Sequence, residues 1–391
     1  MNKLGLILVT LLLSFSLFSQ KVVETRYSGK NSQLREVYNI KTVDDKILKD
    51  GLYQIYYENG NLWQEGVYKN DLLDSIWLDY YEEGILKQIL NYKNDKLEGN
   101  TITFFTSGDT NQIIPYKDNV ISGIVIIFYE RGGIREKTEY SNNLKNGASY
   151  SYYSNGKIES KRGFYYGVEI GIRATYFDNG FIKEKSTIKN GKYVGDFIGY
   201  YKDFKDGDIS KRAVYKNGVL DGKYIGYYPN GDIMLECNYI DNKIEGDYKY
   251  YYRLAEANIL LAKQIKEEGK YYNNLKKGEW VTYYKSGEMY SKGEYKDDIF
   301  NGYWTIYYKN GKVKTEGEYI DNLKEELWKV YYESGVLKNS GNYINGKKEG
   351  EWKTFYDTTE LMSIINFVSG ERMGLSKGFD KQGKLIETKT Y

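Results

Sequence analysis

Histidine is absent from this sequence of 391 residues. Without an imidazole group, the chain cannot form Ser-His or Cys-His nucleophile pairs, histidine metal sites, or the usual acid–base group that titrates near neutral pH. Cysteine occurs once, at Cys237, which excludes an internal disulfide and gives a thiol with no visible activating base. We therefore interpret Cys237 as an isolated strand residue. The composition thus excludes most of the familiar catalytic mechanisms.

Proline and net charge are also scarce. The chain has 2 prolines beside 45 tyrosines and 41 glycines, which is typical of aromatic-rich strands joined by glycine turns and not of a disordered chain. Its 56 lysines and arginines nearly balance 54 aspartates and glutamates, which gives a formal net charge of +2. Because no excess of one sign attracts polyanions, we do not expect a nucleic acid partner.

Carboxylate pairs are the remaining candidates for chemistry, and the sequence favours a structural role for them. Pairs such as Glu325-Glu326 and Asp297-Asp298 fall at turns or surface segments. The nearest approach to a calcium loop, Asp206-Gly207-Asp208, lacks further oxygen ligands. No glycine-rich phosphate loop opens a helix, because glycine recurs with the turns. The sequence thus predicts no catalytic residues, no metal site, no cofactor and no enzymatic activity.

Residues 1–20, MNKLGLILVTLLLSFSLFSQ, place one lysine before a short apolar run that ends in small residues. This is the layout of a secretory signal peptide, with cleavage expected before or after Gln20. The alternative is an uncleaved N-terminal anchor, although the run is short for a membrane span. We therefore predict an exported protein that is periplasmic, on the cell surface or secreted.

A period of 24 residues organises the chain from Gly51 to Tyr391. Each repeat opens on position 1, usually a glycine, and carries an aromatic pair at positions 6 and 7, as in Tyr307-Tyr308. Such a chain is best divided by its repeats and not by independent cores. The predicted division is a signal peptide (1–20), a degenerate N-terminal capping repeat (21–50), and an array of about fourteen repeats (51–391).

The dipeptide Asn-Gly at positions 9 and 10, as in Asn59-Gly60, is a strong signal for a two-residue type I′ hairpin turn. This turn pairs position 7 with position 12 and places positions 3, 7, 12 and 18 on one face. The expected pairs are Tyr57 with Leu62, Tyr308 with Val313, and Tyr332 with Leu337. Because equivalent tyrosines of successive hairpins lie about 9.6 Å apart, aliphatic residues should fill the gaps between rings. The predicted fold is all-β, an elongated antiparallel β-hairpin repeat array.

Two insertions, near 202–208 and 253–270, interrupt the period. The second contains strong helix formers, an apolar series with helical spacing, and Gly269 at a position suited to a C-cap. We therefore expect a short helix at 254–268, with a lengthened hairpin arm as the alternative. If the protein has one special contact site, these interruptions are the first places to look.

The pattern G-x-W-x-x-Y-Y-x-x-G-x-L with a later tyrosine, as in the stretch from Gly302 to Tyr319 where valine replaces the leucine, resembles the MORN repeat variant family. The bacterial members of that family are often labelled antitoxin components of toxin–antitoxin systems. The resemblance implies an elongated antiparallel ribbon that binds proteins or membranes, and it implies no catalytic residues. Departures occur at position 3 of the middle repeats, which hold Thr101, Val125, Ser149 and Arg173.

Aromatic residues at position 6 should point to the face opposite positions 3 and 7, with polar neighbours at position 13 such as Lys87 and Lys314. One interpretation is that these rings shield the hydrogen bonds of the sheet beside lysine stems. The other is a long binding platform for a protein strand, a glycan or a lipid surface. The candidate binding residues are Tyr56, Tyr80, Tyr152, Tyr176, Tyr200, Tyr227, Tyr283, Tyr307 and Tyr331.

Together these features predict an exported, non-enzymatic repeat protein that provides an extended scaffold for protein interaction or envelope binding. A protein is the expected partner, because rigid rings and backbone edges present a large surface at low ordering cost. One alternative is an antitoxin-like protein that neutralises a toxin. A further alternative is a carbohydrate or membrane-surface binder. The pattern leaves the oligomeric state open.

Overall fold

The structure, a computed structural model, describes residues 21–28, 32–203, 207–253 and 263–391. Every regular element in these segments is a β-strand, and none of them contains a helix. The predicted signal peptide lies outside the described residues. Within each of two compact units, one ending at Val168 and the other starting at Glu169, consecutive strands pair in antiparallel fashion. The predicted all-β array of antiparallel hairpins is therefore confirmed.

The first unit contains fourteen of the strands. They are β1 (Lys21–Arg26), β2 (Leu34–Val43), β3 (Lys46–Tyr56), β4 (Leu62–Lys69), β5 (Leu72–Tyr80), β6 (Leu86–Lys93), β7 (Lys96–Leu97), β8 (Gly99–Phe104), β9 (Thr110–Lys117), β10 (Val120–Ile121), β11 (Gly123–Phe128), β12 (Ile134–Ser141), β13 (Leu144–Tyr152) and β14 (Ile158–Tyr165). The short strands β7 and β10 are the first halves of strands that resume as β8 and β11, and the pairs β6–β8 and β9–β11 continue the ladder.

The remaining strands follow the same plan. They are β15 (Val168–Tyr176), β16 (Ile182–Lys189), β17 (Lys192–Tyr200), β18 (Ile209–Lys216), β19 (Val219–Tyr227), β20 (Ile233–Ile240), β21 (Lys243–Tyr251), β22 (Ile265–Tyr272), β23 (Leu275–Tyr283), β24 (Met289–Lys296), β25 (Ile299–Tyr307), β26 (Val313–Ile320), β27 (Leu323–Tyr331), β28 (Leu337–Ile344), β29 (Lys347–Phe355), β30 (Leu361–Val368), β31 (Glu371–Arg372), β32 (Leu375–Phe379) and β33 (Leu385–Thr390).

The turn at Asn-Gly differs from the predicted type I′ turn. The Tyr57 amide donates to the Asn61 carbonyl, and the Gly60 amide donates to the Tyr57 carbonyl, so the loop holds three residues. Gly60 has a φ of 88°, whereas Asn59 stays outside the positive-φ region, as in a type I turn followed by a glycine bulge. The predicted pairing next to the loop is therefore wrong, because position 6 faces position 12, whereas the rest of the hairpin keeps the expected register. The observed pairs are Tyr56 with Leu62, Tyr307 with Val313, and Tyr331 with Leu337.

The two-residue turn lies at the other end of the hairpin, where one repeat passes into the next. Asn94 and Asp95 both have positive φ values, 50° and 63°, and Lys93 pairs with Lys96 across them. These dihedral angles define a type I′ turn, which needs Asn, Asp or Gly at both central positions. The carboxylate pair Asp297-Asp298 occupies an equivalent turn, with φ values of 53° and 66°.

Tryptophan at position 3 packs on glycine at position 16 of the preceding repeat. A Cβ atom built on Gly66 would overlap the indole ring of Trp77, and Trp77 Nε1 donates to the Val67 carbonyl at 3.2 Å. Trp77 and Trp280 are 2% and 1% exposed. The remaining pairs are Gly269 with Trp280, Gly293 with Trp304, Gly317 with Trp328, and Gly341 with Trp352. The missing side chain of each glycine thus creates the seat for one indole.

Repeats without this tryptophan compensate with a different residue at position 16. Thr138 faces Ser149, and their hydroxyl groups form a hydrogen bond of 2.7 Å. Cys237 occupies the same position opposite Tyr248 and is 3% exposed. Burial raises the pKa of the Cys237 thiol to about 11, so the thiolate is disfavoured. The cysteine is therefore a filler for the space beneath an aromatic ring.

The buried row is more aromatic than the sequence predicted. Tyr343 at position 18 contacts both neighbouring indoles, with centroids 6.2 Å from Trp328 and 5.1 Å from Trp352, in edge-to-face geometry. The expectation that aliphatic residues separate the rings is therefore wrong. The physical reason is that positions 3 and 18 project from the same face of neighbouring strands, about 4.8 Å apart, so the strand between two equivalent rings contributes another ring.

The second insertion lengthens the loop between strands β21 and β22. Its residues 254–262, which include most of the predicted helix, lie outside the described residues. Ile265 to Glu268 belong to strand β22, where Glu267 pairs with Tyr250, so the helix prediction is wrong for this part. The Tyr252 amide donates to the Gln264 carbonyl, the same bond that closes the ordinary three-residue loop.

Candidate functional site

Most tyrosines at position 7 connect their repeat to the next along the edge where the three-residue loops lie. The Tyr308 hydroxyl donates to the Tyr331 carbonyl at 2.8 Å, and the Tyr332 hydroxyl donates to the Phe355 carbonyl at 3.0 Å. Further bonds of this kind are Tyr57 to Tyr80, Tyr81 to Phe104, Tyr129 to Tyr152, Tyr228 to Tyr251, Tyr252 to Tyr283, Tyr284 to Tyr307, and Tyr356 to Phe379. These phenols therefore fix the spacing of the loops.

A cleft of about 560 Å³ lies in the second unit between this tyrosine edge and the buried tryptophans. It opens on the face that carries positions 3, 5, 14, 16 and 18, which we call the tryptophan face. The lining includes Tyr252, Tyr284 and Tyr290, and also the buried Trp280 and Trp304. The rest of the lining is Lys266, Glu267, Lys276, Thr282, Tyr283, Ser291, Tyr295, Phe300, Ile306, Thr315, Tyr319 and Trp328.

The hydroxyl groups in the cleft are hydrogen-bonded within the protein. Thr282 and Ser291 share a bond of 2.6 Å, and Thr315 donates to the Lys329 carbonyl at 3.0 Å. Trp280 is 1% exposed and donates to the Lys270 carbonyl at 3.2 Å. The hydrogen-bond partners of these hydroxyl groups are another hydroxyl and a backbone carbonyl, although Glu267 pairs with Thr282 on the neighbouring strand. The arrangement is an apolar recess with fixed polar groups, which suits binding.

Lysines at position 23 lie over the tryptophan rings of this face. Lys276 Nζ is 3.9 Å from the ring centroid of Trp280 and 3.2 Å from a carboxylate oxygen of Glu267. Lys324 Nζ lies 4.1 Å from the centroid of Trp328. A cation at this distance is attracted to the π face of the ring and also covers it.

The sequence-predicted binding tyrosines at position 6 all end their strands and are all half-buried. They alternate with position 5 and so project from the face opposite the tryptophans, as expected. Among them, Tyr283 also borders the cleft. The structure does not bring the others, Tyr56, Tyr80, Tyr152, Tyr176, Tyr200, Tyr227, Tyr307 and Tyr331, to the cleft lining.

Several position-6 hydroxyl groups are bonded to carboxylates of the preceding repeat. Tyr283 donates to Glu268 at 2.7 Å, and Tyr331 donates to Glu316 at 2.7 Å. Burial first, and then the Glu268 carboxylate, raise the pKa of Tyr283 to about 12. These phenols therefore stay neutral at physiological pH and form cross-repeat bonds.

Position 13 does not face position 6, which corrects the expected neighbours of the rings. Lys87 Nζ lies 5.7 Å from the ring centroid of Tyr81, and Lys314 Nζ lies 5.7 Å from that of Tyr308, both at position 7. The extra residue in the bulge causes this, because position 6 pairs with position 12 instead. The sequence analysis also missed the cleft residues at positions 5 and 14. The signal that could have found them is the hydroxyl side chains of Thr282, Ser291 and Thr315 at these positions.

Within the segments that the structure describes, no group of three or more acidic or cysteine side chains is placed to hold a metal ion. The same segments contain no helix long and apolar enough to cross a membrane.

Comparisons with known proteins agree with the hairpin repeats. A family model described as MORN repeat variant matches seven segments, and a search of curated proteins gives no match. The matched segments are residues 49–70, 73–94, 145–165, 220–241, 276–297, 300–321 and 327–345. Each lies on strands that the structure pairs as neighbours, so the sequence family and the fold coincide.

Solved structures that resemble the chain include a TcdB2-TccC3-Cdc42 complex, at 10% identity, 90% coverage of this chain, 23% of that chain and a TM-score of 0.15. The TcdB2-TccC3 structure is 11% identical, covers 95% of this chain and 27% of that chain, and has a TM-score of 0.16. The Tc holotoxin pore of Photorhabdus luminescens is 10% identical, covers 94% of this chain and 24% of that chain, and has a TM-score of 0.13. The chain spans about a quarter of these structures, and TM-scores this low carry no argument. By its seven matched repeats and their hairpin structure, the chain belongs to the MORN repeat variant family.

Proposed function

We propose that this protein is an exported, non-enzymatic scaffold that binds a segment of a partner protein in the cleft of the tryptophan face. The observation that carries the proposal is the cleft itself, about 560 Å³ in volume and lined mainly by aromatic side chains. Recesses of this size and composition are typical of binding sites, and aromatic residues are enriched where proteins bind each other.

The burial of the rings favours a polypeptide over a carbohydrate. Trp280 and Trp304 are 1% and 8% exposed, so neither presents a free ring face on which a sugar could stack. Tyr290, which is 41% exposed, offers its side to an occupant of the cleft. Apolar side chains of a peptide need only such ring edges and a dry recess. Since backbone and side-chain bonds fix the rings in advance, binding orders few side chains.

Export supports an extracytoplasmic partner, and it rests on the leader at residues 1–20. The first described strand, β1, starts at Lys21, so removal of the leader takes away no described hairpin. N-terminal sequencing of protein recovered from outside the cytoplasm should read Gln20 or Lys21 as the first residue. Recovery of the full chain with Met1 intact in the cytoplasm contradicts this part of the proposal.

Site-specific photo-crosslinking in cells tests the binding proposal. A photoreactive phenylalanine analogue replaces Tyr290 in the cleft, and the matched control carries it at Tyr303, which is 55% exposed on the opposite face. We expect a protein adduct from position 290 and not from position 303. Equal adducts at both positions, or adducts only at 303, contradict the cleft as the binding site.

The two alternative binding functions give different results in the crosslinking experiment, and an enzyme is tested separately. A captured toxin that loses its activity in the adduct favours the antitoxin-like function. Glycan or lipid adducts in place of protein favour the carbohydrate or membrane-surface binder. A measured turnover that one carboxylate substitution abolishes contradicts the proposal of a non-enzymatic scaffold.

A further inference from the structure

Three of the cations at position 23 of the tryptophan face are balanced by an acid on the preceding strand, at position 14 of the same repeat or its equivalent in the capping repeat. Glu36 lies 3.6 Å from Lys49, Glu136 lies 3.0 Å from Lys145, and Glu267 lies 3.2 Å from Lys276. The same pair of positions thus forms an internal ion pair at three separate places in the chain. A half-buried ammonium group needs such a partner, because burial penalises the unpaired charge.

Three successive repeats near residue 350 keep the cation and lose the acid. Position 23 holds Lys324, Lys348 and Arg372, whereas position 14 of the same three repeats holds Thr315, Asn339 and Ser363. In the described part of the chain, Lys324 and Lys348 have no carboxylate within ion-pair distance. Asn339 adds a buried amide oxygen with no hydrogen-bond partner in that part.

The three cations influence one another along the face. The pKa of Lys324 is lowered first by burial and then by Lys348, and that of Lys348 is lowered first by burial and then by Arg372. Lys324 and Lys348 lie 4.1 Å and 4.2 Å above the rings of Trp328 and Trp352. The rings retain the cations without neutralising them, so the row keeps a capacity for external anions.

We propose that Lys324, Lys348 and Arg372 bind an acidic, extended polypeptide segment whose carboxylates recur at every third residue. This inference rests on the proposed function, since Thr315 and Trp328 also line the cleft and the row continues the same face. Each carboxylate takes the place of the acid that position 14 supplies elsewhere. A charged hydrogen bond at each cation then fixes the register of the peptide.

The spacing selects the conformation of the peptide. Position 23 recurs on every second strand, and strands lie about 4.8 Å apart, so successive cations are about 9.6 Å apart. A polyproline II segment returns to the same side every three residues, or about 9.3 Å. A β-strand returns every two residues, at about 6.7 Å, which does not match. The match therefore favours a polyproline II peptide with acids at i, i+3 and i+6.

Binding of a synthetic peptide to the full-length exported protein tests this inference. The probe contains four Glu-Pro-Pro repeats, and fluorescence anisotropy measures its affinity at low ionic strength. One control peptide replaces every glutamate with glutamine, and another has the same composition with its four glutamates adjacent. We expect binding of the first peptide, at least about tenfold weaker binding of the other two, and weaker binding at high salt.

Two kinds of variant locate the site. Lys348→Met keeps an apolar stem over Trp352 and should weaken the affinity for the peptide about tenfold. The control is Lys347→Met. Lys347 is the adjacent residue of the same strand and projects from the opposite face, so its replacement should leave the affinity unchanged. Asn339→Glu should restore the internal ion pair with Lys348 and weaken the peptide by a similar factor without loss of folding. Asn339→Gln is the neutral control. Peptide affinity that neither Lys348→Met nor Asn339→Glu changes overturns the inference.

Membranes are the competing source of anions. Vesicles with 30% phosphatidylserine should not bind in a manner that depends on Lys324 and Lys348, because these ammonium groups are half-buried against rings. Vesicle binding that Lys348→Met abolishes, without peptide binding, overturns the proposed occupant. If the adduct at position 290 forms but the Glu-Pro-Pro peptide fails to bind, the inference fails and the proposed function stands. If the Glu-Pro-Pro peptide binds but no adduct forms at position 290, the cation row stands as a peptide site and the cleft fails as the binding site of the proposed function.

Discussion

Gly317 lies directly beneath the indole ring of Trp328, and a Cβ atom on this glycine would overlap the ring. Trp328 is 3% exposed and donates its Nε1 hydrogen to the Glu318 carbonyl at 3.1 Å. The glycine therefore serves packing, since it sits in a strand and has no positive φ.

Replacement of Gly317 by alanine should destabilise the second unit by about 1–3 kcal/mol, because the added methyl group displaces the ring. Trp328→Ala should cost about 3–5 kcal/mol through the cavity that it creates. In the Trp328→Ala background, Gly317→Ala should have almost no further effect. Urea unfolding of both single variants and the double variant measures this coupling, and additive effects contradict the packing relationship.

The hydroxyl bonds at position 7 should contribute to stability one by one. Tyr308→Phe removes the bond to the Tyr331 carbonyl and should lower the free energy of unfolding by about 1 kcal/mol. Tyr290→Phe is the matched control, since Tyr290 is 41% exposed and its hydroxyl has no hydrogen bond within the described residues. Equal effects of the two substitutions argue against a role for the hydroxyl series.

Stability should fall at alkaline pH as the position-6 tyrosines ionise. The pKa of Tyr283 is raised from 10.0 to about 12, so the folded protein retains a proton that the unfolded chain loses. The resulting stability is fully present below pH 10 and is lost as the pH rises through about 12. Urea midpoints between pH 9 and about 12 should decline, and Tyr283→Phe should reduce the steepness of that decline. An unchanged slope contradicts the assignment.

Cys237 should resist thiol reagents in the native protein. Its thiol is 3% exposed and has a pKa raised from 9.0 to about 11. The raised pKa alone lowers the thiolate fraction about a hundredfold near neutral pH, and burial blocks access further. Reaction with an aromatic disulfide reagent should therefore proceed only on addition of denaturant, and fast reaction of the folded protein contradicts this prediction.

The hairpin fold was predictable because two local signals recur. Glycine and asparagine at the loops, and alternating aromatic residues between them, each depend on a few neighbouring residues. The pairing next to the loop was not predictable from Asn59-Gly60, because that dipeptide suits both a two-residue turn and a three-residue loop with a bulge. Only the Tyr57–Asn61 bond, which closes the longer loop, decides between them.

The candidate site was less accessible to sequence reasoning for the same reason. A shift of one residue changes which side chains face each other, so position 13 was assigned to the wrong ring. Glu267 and Lys276 are separated by nine positions and become an ion pair only through strand pairing. The loss of such acids at Thr315 and Asn339 has a meaning only when that pairing is known.

The sequence by itself determined the repeat, the strand content and the absence of histidine chemistry, because these follow from composition and short-range periodicity. Tertiary structure decided which turn joins which strands, where the indoles rest and which cations lack an acid. These depend on contacts between residues of neighbouring hairpins, and the energies of such contacts are set by register and burial and not by the order of residues within one repeat.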